Sequence, residues 1–225
     1  MSLGKFKASH IPNITAVVAG VAILLCEIIA VHYGHEKPFP RATISMTAGH
    51  YPEYIIFRIA IQCSSTLLIM TWFLHYFWLR TKVAHAGRYL PEIFLFLGTI
   101  GAIGLMAASA TIDTGVYKNH IHVICAVVFF LGTIWACIFD TLICLVIWRT
   151  KQTISQLNVT LKVIVSMSLF VWMILAIFYK SPYRYFTEVA EYSMTYLILA
   201  YALLIGRDLK GFVLDYELKS WALME

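Results

Sequence analysis

Six uninterrupted apolar stretches take up most of the 225-residue chain. They are read at residues 12–33, 55–79, 90–111, 120–148, 159–179 and 187–206. A helix needs about 20 apolar residues to cross the hydrocarbon of a bilayer, and each stretch meets that length. Hydrophobic residues make up 60% of the sequence, and mean hydropathy is +0.78. A water-soluble core of this size cannot hide so much apolar surface. The runs are continuous and lack the alternation of a barrel strand, so the crossings are helical. The expected fold class is an all-α integral membrane protein, a six-helix transmembrane bundle that forms one domain over residues 1–225.

Lysine and arginine predict the orientation. Lys5, Lys7, Arg80, Lys82, Arg88, Arg149, Lys151, Lys162, Arg207, Lys210 and Lys219 fall on the side that holds both termini. Lys37, Arg41, Lys118, Lys180 and Arg184 fall on the other. The positive-inside rule then places both termini in the cytosol. An even number of crossings requires them to share a side. The first stretch is too long for a cleaved signal peptide, and Leu24, Cys26 and Glu27 stand where a small-residue cleavage site would be sought.

All five cysteines (Cys26, Cys63, Cys125, Cys137 and Cys144) lie within spans, with no CxxC pair. They are read as small packing residues, with neither disulfides nor a metal site expected. No cofactor is expected. The sequons at Asn13 and Asn158 fall on the cytosolic side and should be unused. A net charge of +5 follows from topology and favours anionic cytosolic lipids. No basic stripe interleaved with aromatics points to nucleic acid. Membrane lipid is the expected partner, with other membrane subunits as a further possibility.

A charge inside a span costs about 2.5–3.5 kcal/mol on insertion scales, so such residues usually face the bundle interior and find partners. They gather toward one leaflet here. Glu27 is in span one, Arg58 and Gln62 open span two, and Asp113 follows span three. His120 and His122 open span four, and Glu188 and Glu191 open span six. The spacing places Arg58 with Gln62, and Glu188 with Glu191, on shared helix faces. A lumen-facing pocket of Arg58, His122 and Glu191 is expected. His122 and Glu191 are the candidates for proton transfer, and Arg58, Gln62, Glu188, Asp113 and Glu27 for lipid-headgroup binding. Each also has a plain structural reading: Arg58 snorkels, His120 sits at the interface, and Glu188 is solvated at a helix start. Asp140, deep in span four, is expected to bond a neighbouring helix, and His75 to be packed. Small residues in span three, from Gly98 to Ala108, suit close helix packing.

The loop 34–54 holds three prolines, which stiffen it into an expected lid. It reads Pro40-x-x-x-Ile44-Ser45, then Gly49 and Pro52, with Phe57-Arg58 opening span two. Together with Ile121-His122 and Ala190-Glu191-Tyr192, this pattern resembles the FRAG/DRAM family of six-span proteins. It lies nearest the branch of post-GPI attachment to proteins factor 2. The resemblance covers nearly the whole chain. It implies lipid remodelling of glycosylphosphatidylinositol (GPI) anchors at the lumenal leaflet of ER or Golgi membranes, with Arg58, His122 and Glu191 at matching positions. Ile59 after Arg58, where the branch has an aromatic, departs from the pattern. Other branches imply lysosomal or plasma membranes. Two functions stand beside each other: acyl transfer on a lipid, or a non-catalytic lipid-handling subunit or adaptor of a larger complex, lipid transfer and phosphoinositide regulation included. No serine or cysteine nucleophile stands out beside His122. A channel or transporter is disfavoured, because the polar residues line no path across and no inverted repeat is evident.

Overall fold

The structure, a computed structural model, describes residues 6–83, 89–112, 120–151, 154–178 and 185–214. Its helices are α1 (His10–His32), α2 (Ile44–Thr47), α3 (Glu53–Lys82), α4 (Leu90–Ala110), α5 (His120–Lys151), α6 (Gln156–Phe178) and α7 (Phe186–Asp208). All but the four-residue α2 are long and apolar enough to cross a membrane. Every boundary falls within three residues of the one read from the sequence. The helices extend past the apolar runs because polar residues such as Arg80 and Lys82 continue the last turn of α3 beyond the apolar stretch.

Among the described residues, the strands are a two-residue pair. β1 (Phe6–Lys7) lies antiparallel to β2 (Val213–Leu214), with Phe6 opposite Leu214. This pair brings the two ends of the described chain to one end of the bundle, as six crossings require.

The six long helices close a ring. α1 packs on α3, α3 on α4, α4 on α5, α5 on α6, α6 on α7, and α7 back on α1. The tightest seam joins α4 and α5, where backbones touch. A methyl at Gly132 would lie 2.8 Å from the Gly101 nitrogen and the Leu97 carbonyl oxygen. One at Gly101 would meet the Thr133 nitrogen at 2.7 Å. The small residues of span three therefore serve packing. Gly98 seats the Trp72 ring of α3, 2.9 Å from where its methyl would be.

Outward faces stay apolar. Val17, Leu24 and Ile28 on α1, Ile124 on α5 and Met167 on α6 are all exposed. A continuous apolar belt of this kind is stable only against lipid. α6 buries the smallest share of its apolar window.

The loop between α1 and α3 lies across the end opposite the β pair. Its Phe39 N–H donates to Glu27 Oε1 at 3.0 Å. His35 Nδ1 meets Glu53 Oε1 at 2.7 Å. Phe39 packs edge-on against Tyr192 of α7. Thr43 caps α2 by accepting the Met46 N–H. The segment is held at several points, the arrangement a stiffened lid requires.

Candidate functional site

His122 and Glu191, placed by the cost of polarity in lipid, are brought together by a serine of the Ile44-Ser45 pattern, which corrects the expectation that no serine stands beside His122. Ser45 of α2 sits between them. Its Oγ is 3.0 Å from His122 Nε2 and 3.1 Å from Glu191 Oε1. The Ser45 backbone N–H also reaches Glu191 Oε1, at 3.3 Å. Three elements (α2, α5 and α7) thus meet at one hydroxyl.

The hydrogen bonds assign the histidine's proton. Nδ1 faces the Ala108 carbonyl oxygen at 2.9 Å, and a carbonyl only accepts. Nδ1 therefore carries hydrogen, and in the neutral ring Nε2 is bare and faces the Ser45 hydroxyl as an acceptor. The Ser45 hydroxyl has one proton and two acceptors, His122 Nε2 and Glu191 Oε1. The carbonyl of α4 fixes the ring much as an orienting acceptor fixes a general base.

Ser45, His122 and Glu191 stand at the polar end of a cavity of about 70 Å³ inside the ring. The rest of its wall is largely apolar: Ile23, Phe57, Leu68 and Phe129 contribute to it. A single water needs roughly 10–15 Å³ measured this way, so the space exceeds that of an ordered water. Its chemistry suits an alkyl chain whose polar end reaches the hydroxyl.

The other sequence candidates are placed differently. Arg58 is not in the cavity wall. Its Nη2 donates to the Ile112 carbonyl at 2.9 Å, and its guanidinium lies over the Tyr54 ring at 5.3 Å. Gln62 donates to the Met106 carbonyl at 2.7 Å and the Ser109 hydroxyl at 2.8 Å. Arg58 therefore satisfies a carbonyl just past the end of α4, and Gln62 satisfies polar groups in its last two turns. Glu27 holds the lid at Phe39. Glu188 is half-buried one turn before Glu191, and its Oε2 has no partner among the described residues. His120 is exposed at the start of α5. Asp113 lies outside the described residues.

A second polar cluster occupies the other half of the bundle, around Asp140, expected to bond a neighbouring helix, and His75, expected to be packed. His75 Nε2 meets Asp140 Oδ1 at 2.7 Å. Lys162 Nζ donates to Asp140 Oδ2 at 2.6 Å, and Tyr201 OH donates to the same oxygen at 2.7 Å. Lys162 also pairs with Asp208 Oδ2 at 2.5 Å and donates to Cys144 Sγ at 3.3 Å. The expectation that Lys162 is one of the loop cations is corrected: it is fully buried. Two carboxylates from α5 and α7 draw it inward. Its position three residues inside a predicted span was the signal available. Without it, ten cations against five still favour the same orientation.

The cysteines are read from the sequence as packing residues, yet one of them stands in a group of metal-ligating types. Ligand atoms of His75, Cys144 and Asp208 lie within 4.8 Å of one another. The Lys162 ammonium stands on two of the three, Cys144 and Asp208. It already supplies the positive charge that a metal ion would bring there.

The family model described as Frag1/DRAM/Sfk1/Cwh43P N-terminal domain matches residues 7–212. No curated protein and no solved structure matches the chain.

Proposed function

We propose a lipid-remodelling function from two premises: the chain belongs to the Frag1/DRAM/Sfk1/Cwh43 family, and a serine–histidine pair stands at the polar end of an apolar cavity. Some members of that family relate to GPI-anchor remodelling, so a GPI lipid is the proposed substrate. The branch of post-GPI attachment to proteins factor 2 and an ER or Golgi membrane belong to the same proposal. The reaction is acyl transfer at the leaflet opposite the chain ends, which the positive-inside rule makes lumenal.

One acyl chain fills the cavity and brings its ester carbonyl to Ser45. Oγ attacks that carbon while His122 Nε2 takes the hydroxyl proton. The ester bond breaks, and the departing lysolipid oxygen receives that proton. A second hydroxyl then attacks the acyl-serine and is deprotonated by His122, and the proton returns to Ser45. Glu191 holds Ser45 through its N–H and competes for its hydroxyl proton. The 3.0 Å contact from Ser45 Oγ to His122 Nε2, with Nδ1 anchored on Ala108, carries this reading.

The test is turnover by the purified full chain in nanodiscs, with a GPI lipid bearing a labelled acyl chain and a lysolipid acceptor. Proton transfer by a positioned side chain contributes about 10²–10⁴-fold, and Ser45→Ala and His122→Ala should each lose a factor of that order. Full turnover by the Ser45→Ala variant removes serine from the mechanism. No turnover by the wild-type protein removes the enzymatic reading.

One observation favours the second reading, a lipid-handling subunit without chemistry. The Ser45 N–H, placed to stabilise an oxyanion in such reactions, donates to Glu191 instead. On that reading lipid co-purifies unchanged, and the protein travels with other membrane chains in stoichiometric amounts.

A further inference from the structure

The end of the bundle that carries the β pair has a surface site of its own, away from Ser45. A pocket lies between the start of α6 and the end of α7. Ser155, Asn158, Arg207, Asp208 and Lys210 contribute to its wall. Arg207 and Lys210 are exposed, and neither has a carboxylate partner among the described residues. The first turn of α6 lies at this pocket, so the positive end of its dipole is beside it.

An independent observation comes from Asn158. It is 4% exposed, and its Nδ2 is used twice, on the Leu204 carbonyl at 3.2 Å and Asp208 Oδ1 at 2.6 Å. Among the described residues, its buried Oδ1 has no donor. A buried acceptor without a partner is costly, and this one belongs to a pocket-lining side chain. The pocket therefore offers two cations and the positive end of a helix for an anion, beside an acceptor that lacks a donor, while the Asp208 carboxylate in the same wall is taken up by Lys162 and Asn158.

The apolar surface continues from it. A groove lined by Leu161 and Val165 of α6 and by Ala200, Leu203 and Leu204 of α7 runs along the lipid-facing side, and Arg207 lines both groove and pocket. A polar pocket and an apolar groove that share an arginine have the layout of a headgroup and its chain.

We propose that this site holds an anionic glycerophospholipid with a hydroxylated headgroup. The phosphate lies against Arg207, Lys210 and the start of α6. A headgroup hydroxyl donates to Asn158 Oδ1. One acyl chain lies in the α6–α7 groove. The site is separate from the proposed acyl-transfer chemistry and stands or falls without it.

The test is native mass spectrometry of the full chain in detergent, titrated with defined lipids. Phosphatidylglycerol and phosphatidylinositol should bind more tightly than phosphatidic acid, which lacks headgroup hydroxyls, and far more tightly than phosphatidylcholine. A juxtamembrane cation contributes about fivefold, so Arg207→Gln with Lys210→Gln should weaken phosphatidylglycerol binding about thirtyfold, with thermal stability unchanged. Soluble glycerol phosphate should not compete. Equal binding of phosphatidylcholine, or an unaffected double variant, overturns the anion site. Phosphatidic acid binding as tightly as phosphatidylglycerol overturns the hydroxyl contact. Effective competition by glycerol phosphate assigns the pocket to a soluble phosphate and overturns the lipid.

Discussion

Lys162 of α6 donates to Asp140 of α5 across 2.6 Å, with neither side chain exposed. A lone charge at this depth would cost several kcal/mol, so the pair exists only within a closed set. Asp140 also accepts from His75 of α3 and Tyr201 of α7. Lys162 also meets Asp208 at the end of α7. Four of the six ring helices are tied at one point. Two carboxylates, Asp140 and Asp208, share the one ammonium.

Removing the ammonium leaves two buried carboxylates facing each other without compensation. Lys162→Met should lower unfolding stability by about 3–5 kcal/mol, the usual cost of breaking a buried pair from one side. Thermal unfolding in detergent measures it. A double-mutant cycle with Asp140→Asn should be strongly non-additive, the pair losing less than the sum of its singles. A single variant within about 1 kcal/mol of wild type would exclude the network as a structural lock.

The contact between Arg80 and Glu92 gives the contrast. Its length is similar, 2.9 Å, yet the side chains are 42% and 41% exposed. Water and salt screen such a pair, and Arg80→Gln should change stability by less than about 1 kcal/mol. The same unfolding assay decides it. A loss as large as that of Lys162→Met would mean that distance rather than environment governs ion pairs in this bundle.

Gly132 tests the tightest seam. Its missing side chain leaves room for the Gly101 nitrogen and Leu97 carbonyl of α4. Both obstacles are backbone, which cannot swing aside as a side-chain tip does. Gly132→Ala should force α4 and α5 apart at a cost of about 1–3 kcal/mol or more. Gly20→Ala, whose methyl would meet only the Leu199 side chain at 3.5 Å, is the control and should be near neutral. Equal behaviour of the two variants would count against a backbone contact at the seam.

These contrasts mark what the sequence makes legible. Six crossings are readable because lipid demands long apolar runs, and the helices follow them to within three residues. His122 and Glu191 are readable because polarity inside a span needs a reason. Ser45 is legible only as part of the family pattern and not as a partner of either, since a loop hydroxyl has no periodicity and its partners lie 77 and 146 residues away. Lys162 misleads for a related reason: near a span end it looks like an interfacial cation until the distant Asp140 and Asp208 are placed beside it. Arg58 and Gln62 share a face as spacing predicts, but that face meets the end of α4 and the residues just past it. Spacing fixes neighbours on one helix and says nothing about which helix comes opposite.

Glu191 separates the structural from the chemical part of the candidate site. Its Oε1 accepts both the N–H and the hydroxyl of Ser45 and so ties α2 to α7. Glu191→Gln keeps an oxygen that can accept the N–H, while Glu191→Leu keeps none. Leaving those groups unpaired costs about 1–3 kcal/mol locally, so Glu191→Leu should speed hydrogen exchange in the 34–52 segment by about 10–100-fold. Glu191→Gln should stay near wild type in that segment. In the lipid-turnover assay Glu191→Gln should stay within about tenfold of wild type, because the His122 pairing with Ser45 survives, whereas His122→Ala should fall by about 10²–10⁴-fold. If Glu191→Gln abolishes turnover while exchange stays protected, the carboxylate and not the imidazole is the group that takes the serine proton.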